Sequence, residues 1–274
     1  MRPLLVFILM TMATIPAVAA QVPVTDRHQD MTYTSYEVNA FAAAAYHRIV
    51  NKQRKAGLID RDRSEVARVR RIAARLIIQA KRIKYRCNFW HWEVHVSDAP
   101  DVDASSMAGG KILIGSRFIR RYSLTDAELA MVLAHEIAHA LAEHVREQLS
   151  EVQLRHPRYP YSVQDASVEM GSNIAVYLSL MPLFERQETE ADHIGVYLVA
   201  AAGYSPDGAL GFYRKLVRRD GGHGDPGMFA THTTPTARLH AVEGFIKELG
   251  FERSAAADLA GSLAEFDPQA PATR

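Results

Sequence analysis

The sequence predicts an α+β fold that is mainly helical and carries one small β-sheet. Apolar residues recur at helical spacing over several long segments, and most of these segments have start or stop signals at their ends. Only two short segments are typical of strands, residues 89–96 and 111–115. With 274 residues, 48% of them apolar and 23% charged, the chain has the composition of a globular protein and can bury one large core or two small ones.

The first twenty residues have the pattern of a secretory signal peptide. Arg2 supplies the positive charge, residues 4–15 are apolar, and the small residues that follow suit cleavage near Ala19 or Ala20. A membrane-spanning helix needs roughly 20 apolar residues, so an uncleaved anchor is the weaker alternative. We therefore expect an exported protein.

Two helices are predicted before the strands. The first extends from about residue 36 to 55 and is closed by a turn at Gly57. The second covers residues 63–84 within a strongly basic region, 54–86. Apolar residues recur between these charges, which indicates the solvent-exposed face of a helix; a surface for nucleic acid or anionic lipid is the alternative. Because the formal net charge of the whole chain is only +1, we expect no nucleic-acid partner.

The strands follow the second helix. Residues 89–96, FWHWEVHV, alternate rings with polar groups, and residues 111–115, KILIG, form a short apolar run. The single cysteine, Cys87, cannot close an intrachain disulfide, and we expect it to be a small buried apolar residue.

The next helix begins with a capping box, because Thr125 and Glu128 have the required spacing. Its helical pattern continues to about Glu147. After a loop, a second helical region is interrupted at Pro182 and ends at Gly203.

Two further elements complete the predicted fold. Ser205 and Pro206 begin a short helix as its N-cap and first-turn proline. A last helix is expected over residues 235–249. The small and polar residues beyond it are expected to form a flexible tail.

Within the capped helix, the stretch MVLAHEIAHALAEH places polar residues among apolar ones. His135 and His139 are four residues apart, so both imidazoles point to the same side. Two neutral imidazoles on one side suit a divalent ion such as zinc. Glu136 is well placed to hold a water molecule and to act as a general base. The alternative is a pair of structural histidines, which would bury several unpaired polar groups.

A hydrolytic zinc site needs a third protein ligand and an open fourth position. We predict Glu188 as that ligand, and Asp192, four residues later on the same helical face, as the acceptor for the second nitrogen of a ligand histidine. Glu190 points elsewhere on the helix and is the weaker candidate. The predicted cofactor is one zinc ion per chain. His144, at the end of the site helix, is expected to cap its last carbonyls.

Three ordered motifs, at 124–144, 188–206 and 231–239, resemble those of the HtpX/BepA-type branch of metallopeptidase family forty-eight, which also contains the CaaX prenyl proteases and the mitochondrial Oma-type protease. The resemblance covers roughly residues 95–245. It implies a gluzincin metalloprotease core in which the three predicted ligands bind zinc, Glu136 is the base and Asp192 orients a ligand histidine.

Two more features belong to this resemblance. His232, with Arg238, matches a family segment that lies over the site, although Thr233 replaces the usual proline. His232 would either stabilise an oxyanion or occupy the fourth metal position; an ordinary loop histidine is the alternative.

The segment VDASSMAGGKILI resembles the family's edge strand, which would receive a polypeptide substrate as an added strand. Asp103 and Ser105 replace the usual asparagine and phenylalanine.

The expected organisation is a signal peptide (1–20), N-terminal helices with the first strand (21–98), a metalloprotease core (99–250) and a tail (251–274). The resemblance implies an endopeptidase that acts on misfolded or unassembled envelope proteins, with the periplasm of a Gram-negative bacterium as its compartment and peripheral contact with the membrane left open. It leaves the oligomeric state open. A latent or chaperone-like binding protein and a structural zinc protein are the alternatives.

Overall fold

The computed structural model describes residues 18–156, 159–219 and 235–265. Within these ranges the chain is a mainly helical α+β protein, which confirms the predicted fold class. Most of the predicted signal peptide and His232 lie outside the described residues. The strands are β1 Val18–Gln21, β2 His28–Met31, β3 Glu93–Ser97, β4 Ala104–Met107 and β5 Lys111–Gly115. The helices are α1 Ser35–Lys55, α2 Arg63–Ile83, α3 Ser116–Arg121, α4 Asp126–Leu141, α5 His144–Arg155, α6 Val163–Ser172, α7 Ile174–Ser179, α8 Met181–Ala201, α9 Pro206–Ala209, α10 Gly211–Arg219 and α11 Pro235–Glu265.

The main sheet has three strands in the order β3-β5-β4. β3 is parallel to β5, whereas β4 is antiparallel to β5 and forms an edge of the sheet. The buried strand β5 has the predicted bounds, but β3 is shorter than predicted, because residues Tyr85–Phe89 form a 3-10 helix. Trp92 N donates to Trp90 O at 3.1 Å, so residues 90–92 form a tight turn and not an extended strand.

A second, two-stranded sheet joins β1 and β2 in an antiparallel hairpin near the N-terminus. No sequence pattern predicted this hairpin. Residues 18–20, which belong to the predicted signal peptide, take part in its pairing with β2. The turn between the strands is closed by a hydrogen bond of 2.8 Å from Val22 N to Arg27 O.

Helices α4 and α8 form the centre of the core and are buried along most of their length. They approach each other closely at Gly195 of α8. A Cβ atom at this position would lie 2.8 Å from Met131 Cε and 3.4 Å from the backbone nitrogen of His135. Because glycine lacks that atom, the two helices can place their polar side chains against each other.

Helix α4 begins with the predicted capping box. Thr125 N donates to Glu128 Oε2 at 2.8 Å, and Glu128 N donates to Thr125 Oγ1 at 3.3 Å. The helix ends at Leu141, however, and not near Glu147 as the sequence predicted. Glu143 adopts a left-handed conformation, with φ of 54°, and α5 begins at the next residue.

Side chains from distant elements stabilise this break. Lys84 Nζ donates to Leu141 O at 2.7 Å and to Glu143 Oε1 at 2.5 Å, and Gln29 Nε2 donates to Ala142 O at 2.9 Å. Although burial disfavours its charged form, the contact with Lys84 lowers the pKa of Glu143 to about 2. The carbonyl groups at the end of α4 therefore have partners that local sequence does not reveal.

The remaining helices largely follow the predicted boundaries. Pro182 lies in the first turn of α8, Gly203 follows that helix with φ of 76°, and Ser205 caps α9. Helix α11 begins at Pro235 as expected but continues to Glu265, beyond the predicted end. Cys87 is buried, as predicted. Among the helices that the structure describes, none is both long and apolar enough to cross a membrane.

Candidate metal centre

The structure brings the three predicted ligands together between α4 and α8. His135 Nε2 and His139 Nε2 lie 3.0 Å apart. Glu188 Oε2 is 3.4 Å from His135 Nε2, and Glu188 Oε1 is 3.4 Å from His139 Nε2. The ligand atoms of the three residues all lie within 4.8 Å of one another. Two imidazoles from one helix and a carboxylate from the other thus face a common point.

These separations fit a zinc ion. Ligands of a tetrahedral zinc at bonds of about 2.0–2.1 Å lie about 3.3 Å apart, close to the 3.0 Å and 3.4 Å observed. The donor set of two imidazole nitrogens and one carboxylate is that of hydrolytic zinc sites. Glu188 Oε2 is buried and makes no well-aligned hydrogen bond to the described residues, although Arg238 Nη1 lies 3.2 Å away, so the oxygen still has a lone pair for a metal cation.

The electrostatics of the site also favour positive charge between the ligands. Burial disfavours the protonated form of His135, but the hydrogen bond with Asp192 and the neighbouring Glu188 outweigh it and raise its pKa to about 9. Burial would raise the pKa of Glu188, yet the two histidines hold it well below its usual range. A divalent cation bound here would displace the protons from the imidazole Nε2 atoms. It would also neutralise the Glu188 carboxylate in their place.

Asp192 contacts His135, one of the two histidines that it is predicted to orient. Its Oδ1 lies 2.8 Å from His135 Nδ1, which therefore carries the ring proton and leaves Nε2 for the metal. Arg238 donates to both oxygens of Asp192, at 2.7 and 2.8 Å, and Tyr213 Oη donates to Oδ1 at 2.5 Å. Against the effect of burial, Arg238 and His135 lower the pKa of Asp192 to about 2. Arg238 belongs to a motif recognised in the sequence, whereas no sequence pattern pointed to Tyr213.

Glu136 lies beside the ligands on α4 and is only 2% exposed. Its Oε1 atom is buried and has no hydrogen-bond partner among the described residues. A buried carboxylate oxygen without a protein partner is costly. The arrangement is the one expected of a general base whose partner is the reacting water.

His144 does not cap the site helix, so this prediction was wrong. It is the first residue of α5, is fully buried, and places its Nδ1 2.8 Å from Nδ1 of the predicted ligand His139. Burial, together with the nearby His139, lowers the pKa of His144 to about 4, which keeps the ring neutral. On a continuous helix a residue five positions after His139 would point away from it. Only the break at Glu143 brings the two rings together.

Glu190, the weaker ligand candidate, does not belong to the group of three converging ligands and contacts Arg27. A cavity of about 280 Å³ adjoins Glu188. Its apolar walls come from α6, α7 and the start of α8: Met170, Tyr177 and Phe184. Gln148 and Gln187 add polar groups. The cavity therefore combines apolar walls with direct access to a predicted ligand.

A family model described as Peptidase family M48 matches residues 63–246. The mitochondrial metalloendopeptidase OMA1 of Arabidopsis thaliana is 36% identical over 134 residues, which cover 47% of this chain and 27% of that protein. The Schizosaccharomyces pombe OMA1 is 29% identical over 59% of this chain and 49% of its own length. The beta-barrel assembly-enhancing protease of Escherichia coli K12 is 24% identical over 61% of this chain and 36% of its own length. The chain thus spans about a quarter to a half of these relatives.

Proposed function

This chain belongs to peptidase family M48, and we propose that it is a zinc-dependent metalloendopeptidase that hydrolyses peptide bonds in unfolded or unassembled polypeptides. The observation that carries the proposal is the convergence of His135, His139 and Glu188 within 4.8 Å. Next to them, Glu136 offers a buried carboxylate oxygen without a partner among the described residues.

The two imidazole Nε2 atoms and the carboxylate of Glu188 would hold the metal. When bound, zinc supplies a Lewis acid that polarises the scissile carbonyl and lowers the pKa of a water molecule. Glu136 accepts the proton of the attacking water at Oε1 and passes it to the leaving amine. Asp192 keeps the proton of His135 on Nδ1, and Arg238 holds Asp192 in place.

The free edge of β4 would bind the substrate backbone. Gly115 N donates to Asp103 O at 2.5 Å, so residues 103 and 115 form a hydrogen-bonded pair of the ladder. By the alternation of antiparallel strands, the backbone groups of Ala104 and Ser106 then point away from β5. An extended polypeptide can pair with these groups as an additional strand.

Apolar surface near the site favours unfolded substrates. The cavity beside Glu188 has apolar walls, and the neighbouring helices α6 and α7 expose three large apolar residues, Val168, Ile174 and Leu178. Such side chains suit the apolar residues that unfolded polypeptides expose.

The name of one relative refers to β-barrel assembly, and the N-terminal signal pattern predicts export. We extend the proposal to misfolded or unassembled envelope proteins in the periplasm of a Gram-negative bacterium.

Metal removal tests the proposed activity. Treatment with a zinc chelator is expected to stop cleavage of an unfolded protein substrate, and stoichiometric zinc is expected to restore it, because the ligands remain in place. Cleavage is followed by gel electrophoresis and by release of amines. Hydrolysis that continues in a metal-free preparation would contradict the proposal. Binding of the substrate without cleavage by the zinc-loaded protein would indicate the latent binding protein instead.

The edge strand is tested by removing one main-chain donor. A Ser106→Pro variant is expected to raise KM for an extended peptide about tenfold, since one lost hydrogen bond costs about 1–1.5 kcal/mol. Its zinc content should stay unchanged. The Ser106→Ala variant keeps the N–H group and serves as the control. Equal KM values for the two variants would show that the substrate does not pair with β4.

A further inference from the structure

The second ligand histidine, His139, contacts His144, which in turn lies beside Glu190. Its Nε2 lies 3.0 Å from Nε2 of His135, at the metal centre, so its ring proton must sit on Nδ1 if Nε2 is to bind zinc. That Nδ1 atom lies 2.8 Å from Nδ1 of His144. Only one proton fits between the two nitrogens, and His139 must be the donor.

The acceptor role of His144 then determines where its own proton lies. With Nδ1 accepting, a neutral His144 carries its proton on Nε2. This atom is buried and makes no well-aligned hydrogen bond to the described residues, but Oε2 of Glu190, a carboxylate on α8, lies 3.4 Å away and can attract the proton electrostatically. The opposite arrangement, with the proton of His144 on Nδ1, would force the proton of His139 onto Nε2 and block metal binding. The tautomers of both rings therefore depend on a negative charge beside His144 Nε2.

Arg27 holds that negative charge in place. Its Nε and Nη2 atoms donate to the two oxygens of Glu190 at 2.7 and 2.6 Å, and Thr25 Oγ1 donates to Oε1 at 2.9 Å. Arg27 also binds both oxygens of Glu147, on α5, at 2.5 and 2.8 Å. A planar guanidinium can serve both carboxylates at once, which a lysine cannot do.

We propose that Arg27 is a positioning residue of the metal centre. By fixing Glu190 beside His144, it selects the tautomer of His139 that presents Nε2 to the ion.

The two ligand histidines are then supported in parallel ways. His135 contacts Asp192, which Arg238 holds, whereas His139 reaches Glu190 and Arg27 through His144. Since Arg27 lies in the turn between β1 and β2, the N-terminal hairpin is part of the metal centre. This inference rests on the proposed zinc site.

The first experiment compares zinc affinities. We expect Arg27→Met to weaken zinc binding about tenfold in competition with a chelator, the lower end of the range for direct partners of ligand histidines, because Arg27 acts through Glu190 and His144. The matched control is Arg68→Met. Arg68 also binds a carboxylate and a carbonyl, Asp126 Oδ1 at 2.6 Å and Leu124 O at 2.7 Å, at the start of α4 and more than two turns before His135. This control should bind zinc like the wild type. Circular dichroism of the zinc-free proteins reports folding.

The outcomes separate this inference from the proposed function. If the wild type binds zinc and Arg27→Met binds it equally well, Arg27 only joins the hairpin to α5 and α8, and the inference is overturned. If the wild type binds no zinc, the proposed metal centre itself fails. A loss of affinity in Arg27→Met alone, with the variant folded, supports the positioning role.

A second measurement needs no variant and remains decisive if Arg27→Met does not fold. Long-range ¹H–¹⁵N spectra of the zinc-loaded wild type distinguish histidine tautomers. We expect a proton on Nδ1 of His139 and on Nε2 of His144. A proton on Nδ1 of His144 would overturn the inference, because the order of donors and acceptors would then be reversed.

Discussion

A Glu136→Gln variant is expected to keep its zinc and to hydrolyse an unfolded protein about 10²- to 10⁴-fold more slowly than the wild type, the range typical of a lost general acid–base group. Glutamine preserves the size of the side chain but cannot accept the proton of water at neutral pH. The carboxylate of Glu136 is 2% exposed and its Oε1 atom has no partner in the described part of the chain, so little else depends on its charge. The measurements are kcat and bound zinc.

The matched control for this variant is Glu151→Gln. Glu151 lies on α5 and pairs with Arg155 near the surface, so the same chemical change should leave kcat unaltered. If Glu136→Gln cleaves the substrate as fast as the wild type, the mechanism is wrong. A loss of zinc together with activity would indicate that Glu136 supports the metal and is not the base.

A Glu188→Ala variant is expected to lose stoichiometric zinc, with affinity reduced more than about a hundredfold, beyond the usual effect of losing an outer contact. Two physical effects act together. The variant lacks one of the three ligands, and it exposes the ion to Arg238, whose Nη1 atom lies 3.2 Å from Glu188 Oε2. Without the carboxylate, that guanidinium would repel a cation. The measurement is zinc content after dialysis, with affinity from chelator competition.

Glu185→Ala is the control for the loss of zinc. Glu185 is exposed and lies three residues earlier on the same helix, so removing its carboxylate changes the charge of α8 without changing the ligand set. Unchanged zinc occupancy in Glu188→Ala would remove Glu188 from the site. Equal losses in both variants would indicate a general effect of charge and no specific ligand.

Features with local causes could be predicted from the sequence. Residues Thr125 and Glu128 form a capping box wherever the following segment is helical, and the spacing of His135 and His139 fixes their relative direction on that helix. The apolar run at Lys111–Gly115 becomes the buried strand β5 because the side chains on both of its faces can be buried.

The supporting contacts of the metal centre have distant causes and could not be predicted. The end of α4 depends on Lys84, which is 59 residues away from Glu143. The link between Arg27 and Glu190 joins residues 163 positions apart. The hairpin that carries Arg27 has two short strands without a clear alternation of apolar residues. Periodicity and spacing describe single elements, whereas these contacts arise only when the elements pack together.

The most direct test of the metal centre is anomalous diffraction at the zinc edge from crystals of the zinc-loaded protein. We expect a single peak at roughly 2.0–2.2 Å from Nε2 of His135, Nε2 of His139 and a carboxylate oxygen of Glu188, with no fourth protein ligand. A protein that cleaves polypeptides but shows no peak between these residues would contradict the account. A permanent fourth bond to His232 would also contradict it, since the metal would then be structural.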